Sequence, residues 1–200
     1  MPEGANAPQV SVVLTVQNAA PVLMRCLSAV ARVPDTIAFE VVVVDDGSTD
    51  ATPLILQKVE GDFVSLRNDE PIGYGPACDQ AVAAARGDVV VLLSADAVPV
   101  DGWLEPLVAA LGSDGSPAAA RPRAIDVDGR DLTGPLWPCL AIRRDAYQRA
   151  GGFAAASRPG RADKASLLDA LAAAGLEVVA EPASLVLQPP WPAPDGPDAG

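Results

Sequence analysis

The stretch VVVVDDGSTD, residues 41–50, combines the pattern of a buried strand with that of a polar turn. Residues 39–44 are almost continuously apolar, which is typical of a parallel strand covered by helices on both faces of its sheet. The apolar run stops at Asp45 and Asp46, so both carboxylates follow a strand end. The same letters also fit a turn before a helix, with Ser48 or Asp50 as the cap. The stretch therefore predicts a buried strand and leaves the role of its carboxylates open.

Strand and helix patterns alternate along most of the remaining chain. Thr52 and Asp101 are predicted to cap helices, and Gly87 to end a helix in left-handed backbone. The patterns predict strands over residues 10–16, 39–44, 63–66, 88–93, 140–142, 177–180 and 184–187, and helices over 23–30, 76–86, 103–111, 145–150, 166–174 and from residue 52 onward. The βαβαβαβ opening predicts an α/β fold with a doubly wound, mostly parallel sheet flanked by helices.

Three segments lack this alternation. Residues 113–138 contain many Gly, Pro and Asp and predict a loop with one edge strand. Residues 1–9 and 189–200 are rich in Pro, Gly and Ala and predict disordered ends. The remaining residues, 10–188, are predicted to form a single domain, which is an ordinary domain length.

The composition limits the chemistry that the chain can perform. A formal net charge of −12 gives no basic stripe for displacing counterions, so nucleic acid is not an expected partner. No histidine is present to act as a general base or as a zinc ligand. Three widely spaced cysteines, the lack of a signal-peptide pattern and the lack of a run of about 20 apolar residues predict reduced thiols in a cytoplasmic protein without a membrane span.

Carboxylates follow two of the predicted strands. Asp45 and Asp46 end the second strand, and Asp96 lies just beyond the fourth, in VLLSADAVP. In doubly wound sheets, ligands bind outside the carboxyl ends of the strands. Carboxylates that converge at such an edge are costly unless a cation or hydrogen-bond donors compensate them. The three aspartates therefore indicate a ligand site.

These segments resemble the family 2 glycosyltransferases. VSVVLTVQN is similar to the family's opening strand, VVVVDDGSTD to its second strand, and LAIRRDAYQRAGGF to the segment before its catalytic carboxylate. The block IGYGPACDQAVAAARGDVVVLLSADAVPVDGWLEPLV resembles the helix, the metal-motif strand and the Trp-bearing helix that follow. The resemblance implies a GT-A fold, with a nucleotide-sugar-binding half over residues 10–111 and an acceptor half over 112–188. It also implies inverting transfer of a sugar from a nucleotide diphosphate to an unknown glycan, lipid or protein acceptor.

The same resemblance implies roles for single residues. Thr15 and Asp45 would contact the nucleotide base, with Asp46 nearby. Asp96 would bind the divalent cation, manganese or magnesium, that bridges the diphosphate. Asp163 would be the general base that deprotonates the acceptor hydroxyl. From the residues alone, Asp163 is equally a charge at a helix N-terminus beside Lys164.

The chain departs from the family pattern at several of these positions. The departures affect the metal motif, the surroundings of the base and the contact with the nucleotide; they are Gln17, Asp79, Ser94, Ala162, Ala165 and Gln188. Gln188 stands where many members place a metal-binding histidine. A lone Asp96 is a poor magnesium or manganese site unless a diphosphate and water supply more oxygens.

Other features favour structural roles. Gly73-Tyr74-Gly75 lacks the last glycine of a dinucleotide loop and follows the third strand rather than the first. Cys78 and Trp103 fit core positions. Arg143 and Arg144 fit either a phosphate contact or the surface near a helix start. Three hypotheses remain: a sugar transferase, an inactive glycosyltransferase-like domain that binds a nucleotide sugar or a protein, and an unrelated nucleotide-binding α/β protein.

Overall fold

A mixed β-sheet with helices against both of its faces organises the protein. The computed structural model describes residues 7–34, 36–112, 116–132, 137–156 and 164–190. The strands are β1 Val10–Val16, β2 Phe39–Asp46, β3 Phe63–Asn68, β4 Val89–Leu93, β5 Val98–Pro99, β6 Ala119–Ile125, β7 Cys139–Arg143 and β8 Val178–Leu187. The helices are α1 Ala20–Val30, α2 Thr52–Leu56, α3 Tyr74–Ala84, α4 Leu104–Ala110, α5 Arg144–Arg149, α6 Gly152–Ala156 and α7 Lys164–Ala173.

The strand order of the described sheet is β3-β2-β1-β4-β7-β6-β8-β5. The first four strands in this order run parallel, as the alternating pattern predicted. Strand β7 then pairs antiparallel with β4, so the second half of the sheet is mixed. The α/β prediction is therefore confirmed, and the parallel part of the sheet is the part with the βαβ connections.

Two apolar clusters cover the sheet, one on each face. Helices α1 and α4 pack on one face through residues such as Leu23 and Leu107. Helices α3, α5, α6 and α7 pack on the other face, where Phe153 and Leu171 are fully buried. Strand β1 contributes to both clusters because its side chains alternate between the two faces. Trp103 is buried with the first cluster, which confirms the core position predicted for it.

The register of the parallel strands brings their carboxyl ends to one edge of the sheet. Val16 of β1 lies opposite Asp45 of β2, and Asp46 lies opposite Asn68 of β3. The chain that leaves β4 begins at Ser94, beside the end of β1. The aspartates that follow these strands therefore occupy the same edge, which is the arrangement expected for a ligand site.

Two strand predictions in the second half are wrong in detail. Strand β6 was expected at an edge, but it lies between β7 and β8. Residues 177–180 and 184–187 were expected to form two strands, but β8 runs through both as one strand paired with β6. The register shifts at Pro122, where a proline cannot donate to the ladder. Local composition could not reveal the position of β6 or the continuity of β8, because β6 and β8 pair with each other across about 60 residues of sequence.

The predicted caps at Thr52 and Asp101 are also wrong. Ala51 is the N-cap of α2, and the Thr52 hydroxyl instead accepts a hydrogen bond from the Ala19 backbone N–H at 2.9 Å. Asp101 forms an ion pair with Arg32 at 2.6 Å, and α4 begins later, after Trp103. In both cases the side chain that local sequence assigned to a cap instead contacts a residue that flanks α1: Ala19 before it or Arg32 after it.

Gly87 was predicted to end a helix in left-handed backbone, but it instead allows close packing against β1. Its backbone is not in the positive-φ region, and the C-cap of α3 is the extended residue Ala85. A Cβ atom on Gly87 would lie 2.7 Å from both the backbone N of Ser11 and the carbonyl carbon of Val10. The connection from α3 to β4 thus passes directly over the backbone of β1.

Gly87→Ala is expected to lower the free energy of unfolding by about 1–3 kcal/mol, because the added methyl group forces the β1 backbone to shift. Urea unfolding followed by circular dichroism measures this change. Asp88→Ala is the matched control; its side chain is exposed, and its effect should stay within about 0.5 kcal/mol. Equal stabilities for Gly87→Ala and wild type would contradict the close approach.

Candidate functional site

A cleft of about 310 Å³ opens at the carboxyl edge of the parallel strands. Its walls come from the ends of β1, β2 and β4 and from the first residues of α3 and α7. The lining residues are Thr15, Val16, Gln17, Ala19, Asp46, Tyr74, Ser94, Ala95, Asp96 and Lys164. Three of the predicted site residues, Thr15, Asp46 and Asp96, therefore meet in one cleft.

Asp46 fixes the loop that forms one wall of this cleft. Its Oδ1 accepts hydrogen bonds from the Asn68 side-chain amide and the Ile72 backbone N–H, both at 2.9 Å. Its Oδ2 accepts from the Gly73 backbone N–H at 2.9 Å. The carboxylate is only 5% exposed, and these donors compensate its burial. Asp46 thus holds the segment that leads into Tyr74 at the mouth of the cleft.

Asp45 is not among the residues that line the cleft, although it was predicted to contact the base. It is 1% exposed, and its Oδ2 accepts a hydrogen bond from the Arg67 guanidinium. Its Oδ1 accepts from the Ser48 backbone N–H at 3.0 Å. Arg67 also donates to the Ser48 carbonyl at 2.9 Å. In this arrangement Asp45 joins β3 to the turn that follows β2.

The polar turn after β2 is itself held by Asn18, which precedes α1. The Asn18 side-chain oxygen accepts hydrogen bonds from the backbone N–H groups of Thr49 and Asp50 at 2.8 and 3.3 Å. The Asn18 backbone N–H donates to the Ser48 hydroxyl at 2.9 Å. Asn18 adopts a left-handed backbone conformation, with φ of 51°, which asparagine tolerates better than most residues. The loop after β1 and the turn after β2 therefore form one rigid rim beside Thr15.

Asp96 contacts Gln188 at the end of the described chain. The Gln188 side-chain amide donates a hydrogen bond to Asp96 Oδ2. The Gln188 backbone N–H donates to the Ile125 carbonyl at 2.8 Å, which anchors the segment after β8 to the end of β6. Sequence comparison had marked Gln188 only as a departure from the family; the structure brings its side chain to the residue expected to bind a metal.

Lys164 was missed as a site residue by the sequence analysis. Its ammonium donates to the Ser94 hydroxyl and, at 2.9 Å, to the Trp137 carbonyl. The nitrogen also lies 5.6 Å from the Tyr74 ring centre and 5.2 Å from the Trp137 ring centre. Burial lowers the pKa of Lys164 from its ordinary value, and the negative charge of Asp96 opposes that change. Its position beside Asp163 was the only signal in the sequence.

The donor set that the described residues give the cleft does not by itself fit a divalent cation. Among the described residues, no group of three or more His, Cys, Asp or Glu side chains could hold a metal ion. Two carboxylates line the cleft: Asp46 already accepts from Asn68, Ile72 and Gly73, and Asp96 already accepts from the Gln188 amide. Magnesium and manganese require several oxygen ligands, whereas here an amide N–H and an ammonium approach the expected position. The structure gives no support to the metal-binding role expected of Asp96.

The predicted base and its neighbour lie outside the described residues. Asp163 and Ala162 precede Lys164, the first residue of α7 that the structure describes. Because Lys164 lines the cleft, the chain reaches the site immediately after Asp163. The catalytic role of Asp163 therefore stays a prediction.

The remaining candidates have structural contacts. Arg143 donates to the carbonyls of Leu111 and Gly112 at the end of α4, and Arg144 donates to the Ala85 carbonyl at 2.9 Å. Asp79 accepts from the Tyr147 hydroxyl at 2.6 Å and from the Phe153 backbone N–H at 3.0 Å. The contacts of Arg144 and Asp79 connect helices to one another, and the contacts of Arg143 connect β7 to the end of α4. None of these residues lines the described cleft.

The cysteines are buried thiols. All three, Cys26, Cys78 and Cys139, are free and buried. Burial raises the pKa of Cys26 and of Cys78 to about 12, so neither is a thiolate near neutral pH. The Cys78 sulfur lies 3.7 Å from the Thr15 hydroxyl, behind the cleft wall.

No helix in the described ranges is long and apolar enough to cross a membrane.

Two curated relatives match most of this chain but only part of their own length. Glycosyltransferase AglD of Haloferax volcanii is 33% identical over 168 residues, which cover 75% of this chain and 27% of that protein. Polypeptide N-acetylgalactosaminyltransferase 8 of Drosophila melanogaster is 36% identical over 148 residues, which cover 71% of this chain and 23% of that protein. The chain thus spans about a quarter of the length of these relatives.

Two solved structures share the fold. Mannosyltransferase PcManGT from Pyrobaculum calidifontis, in complex with GDP-Man and Mn2+, superposes with a TM-score of 0.73 at 24% identity, over 91% of this chain and 57% of that chain. TarS 1–349 of S. aureus, in complex with UDP-GlcNAc, superposes with a TM-score of 0.76 at 19% identity, over 93% and 60%. These similarities confirm the predicted GT-A fold. The sequence profile of glycosyl transferase family 2 matches residues 11–158, and the chain therefore belongs to that family.

Proposed function

We propose that the protein binds a nucleotide diphosphate sugar in the cleft at the carboxyl edge of the sheet and transfers the sugar to a hydroxyl acceptor. The observation that carries this proposal is the meeting of Thr15, Asp46, Asp96 and Lys164 in one cleft. They come from four separate parts of the chain: β1, β2, the segment after β4, and α7. Their proximity is therefore produced by the fold and not by closeness in the sequence. Family membership supports sugar transfer in general; the donor sugar, the nucleotide and the acceptor are not specified by it.

The two ends of the cleft differ in chemistry, and this supports one orientation of the donor. Thr15 and the loop held by Asp46 offer hydroxyl and backbone groups, which suit hydrogen bonding to a nucleotide base. Ser94, Asp96 and Lys164 form the charged end. We therefore place the base beside β1 and β2 and the diphosphate beside the segment after β4. Asp45 would act indirectly, by fixing the turn that carries the rim.

In the proposed reaction, an acceptor hydroxyl oxygen attacks the anomeric carbon of the donor sugar. The new carbon–oxygen bond forms as the bond from that carbon to the diphosphate oxygen breaks, which inverts the configuration. The hydroxyl proton passes to the Asp163 carboxylate, and the diphosphate leaves with the bonding electron pair. Positioned base catalysis of this kind typically contributes about two to four orders of magnitude to the rate.

A second function is favoured by the contacts around Asp96. Gln188 and Lys164 donate to Asp96 and Ser94, the residues of the expected metal motif. Ala162 stands where the family resemblance implies a glutamate before the base. A domain that binds a nucleotide sugar without turning it over would have the same cleft. The two functions share the donor site and differ only in turnover.

Nucleotide binding is the first test of the proposal. Calorimetry with UDP, GDP and dTDP should reveal binding of at least one of them, and Thr15→Val should weaken it by about two- to tenfold, the worth of one hydrogen bond. Thr36→Val is the matched control because Thr36 is exposed, precedes β2 and is outside the cleft lining. The absence of both heat and thermal shift for all three nucleotides at millimolar concentration would rule out a working donor site.

A further inference from the structure

The charged end of the cleft already contains a cation supplied by the chain. The Lys164 ammonium is held between the Ser94 hydroxyl and the Trp137 carbonyl, and the faces of Tyr74 and Trp137 border it. An ammonium has three N–H donors, and these two hydrogen bonds to described residues use two of them. The aromatic rings favour the charged form of a lysine that lies this deep. Lys164 is therefore fixed in place before any ligand binds.

Lys164 also lies where a metal ion would otherwise be expected. Ser94 and Asp96 occupy the first and last positions of the metal motif implied by the family resemblance, and Lys164 donates to Ser94. The Gln188 amide donates to Asp96 on its other side. Two hydrogen-bond donors thus point at the acceptor atoms that a metal would need. A divalent cation would compete with both of them and would gain one carboxylate.

The charge balance of the cleft requires a cation for a diphosphate. The lining residues include the carboxylates of Asp46 and Asp96, and Lys164 is the only basic side chain among the described ones. A nucleotide diphosphate brings at least two more negative charges. Carboxylates and phosphates do not share a site unless a positive charge lies between them. An ammonium can supply that charge as a point charge with hydrogen-bond donors.

We infer that the Lys164 ammonium binds the diphosphate of the donor in place of a divalent cation, so that nucleotide diphosphate binding by this protein is metal-independent. The inference rests on the proposed donor site and adds the identity of its phosphate-binding group. In turnover, the same ammonium would stabilise the negative charge that develops on the leaving diphosphate. No proton is transferred from Lys164 in this role.

The test uses wild type, Lys164→Met and the matched control Lys58→Met. Lys58 and Lys164 are the only lysines in the sequence, and Lys58 is exposed and outside the cleft lining. UDP and GDP are titrated by calorimetry in EDTA and, separately, with manganese. We expect wild type to bind in EDTA with an affinity within about threefold of that with manganese. Lys164→Met should weaken binding by about ten- to hundredfold, the range for a charge-assisted hydrogen bond, and Lys58→Met should leave it unchanged.

Two outcomes would overturn the inference and leave the proposed donor site intact. They are binding that requires manganese, and binding in EDTA that Lys164→Met does not weaken. Failure of wild type to bind any nucleotide under either condition would overturn both the inference and the proposed donor site.

If Lys164→Met does not fold, the wild-type titrations still decide the metal requirement. Amine acetylation followed by mass spectrometry then completes the test: UDP in EDTA should protect Lys164 and not Lys58, and equal labelling of Lys164 with and without UDP would contradict its role.

Discussion

We expect Glu40→Ala to lower the free energy of unfolding at pH 7 by about 2–4 kcal/mol, because it leaves two buried donors without partners. Glu40 is the second residue of β2, which lies between β1 and β3, and it is 0% exposed. Its Oε1 accepts from the Ser11 hydroxyl and the Arg86 backbone N–H, both at 2.6 Å. Its Oε2 accepts from the Arg86 guanidinium at 2.7 Å. The carboxylate therefore links β1, β2 and the end of α3.

The loss should depend on pH in a defined direction. Burial alone would raise the pKa of Glu40, but the hydrogen bonds from Ser11 and Arg86 outweigh it and hold the pKa below its ordinary value of 4.5. The unfolded state then binds more protons than the folded state in acid. The stabilisation is fully present above about pH 4.5 and is lost as the pH falls through the lowered pKa. The difference between wild type and Glu40→Ala should shrink accordingly.

Urea unfolding at several pH values between 7 and 3 measures both effects. Glu60→Ala is the matched control, since Glu60 is exposed and its loss should change stability by no more than about 0.5 kcal/mol. A cost for Glu40→Ala that is no larger than the cost for Glu60→Ala would contradict the buried network. A cost that grows toward acid pH would contradict the direction of the pKa shift.

The sequence was sufficient to predict the parallel half of the sheet. Its strands are continuous apolar runs separated by helical periodicity, and both signals are local. Strand β6 was misplaced because its letters, AARPRAI, include two arginines and a proline and lack an apolar run. It is held in the interior by β7 and β8, which follow it by about 20 and 60 residues. Pairing at such separations leaves no local pattern to recognise.

The candidate site was predictable only where it is formed by the ends of the parallel strands. Strand ends indicated Thr15, Asp46 and Asp96, since parallel strands bring their carboxyl ends together. Both residues are aspartates, so residue type alone could not distinguish the role of Asp45 from that of Asp46. Successive strand residues point in opposite directions, and Asp45 contacts Arg67 of the neighbouring strand. Lys164 reaches the cleft from a helix 70 positions after Ser94. Contacts of this kind depend on the packing of α7 and cannot be inferred from spacing.

The position of Lys164 also bears on the chemistry of Asp163. In the sequence, Asp163 directly precedes Lys164, which lines the cleft. Because Arg161 and Lys164 flank Asp163 in the sequence, we expect their positive charges to favour the ionised carboxylate that a general base requires. A carboxylate stabilised in this way is a weaker base, so the expected turnover is modest.

Asp163→Asn is expected to lower turnover by about two to four orders of magnitude and to leave nucleotide affinity unchanged, because an amide cannot accept the acceptor proton and the donor contacts lie elsewhere. Release of UDP or GDP from a panel of nucleotide sugars measures turnover, with water as the acceptor, and calorimetry measures affinity. Asp169→Asn is the matched control: it makes the same change on an exposed position of α7 and should preserve the rate. If wild type and Asp163→Asn release nucleotide at the same background rate while both bind it, the transferase function fails. The domain is then a nucleotide-sugar-binding module that has the family's fold without its base.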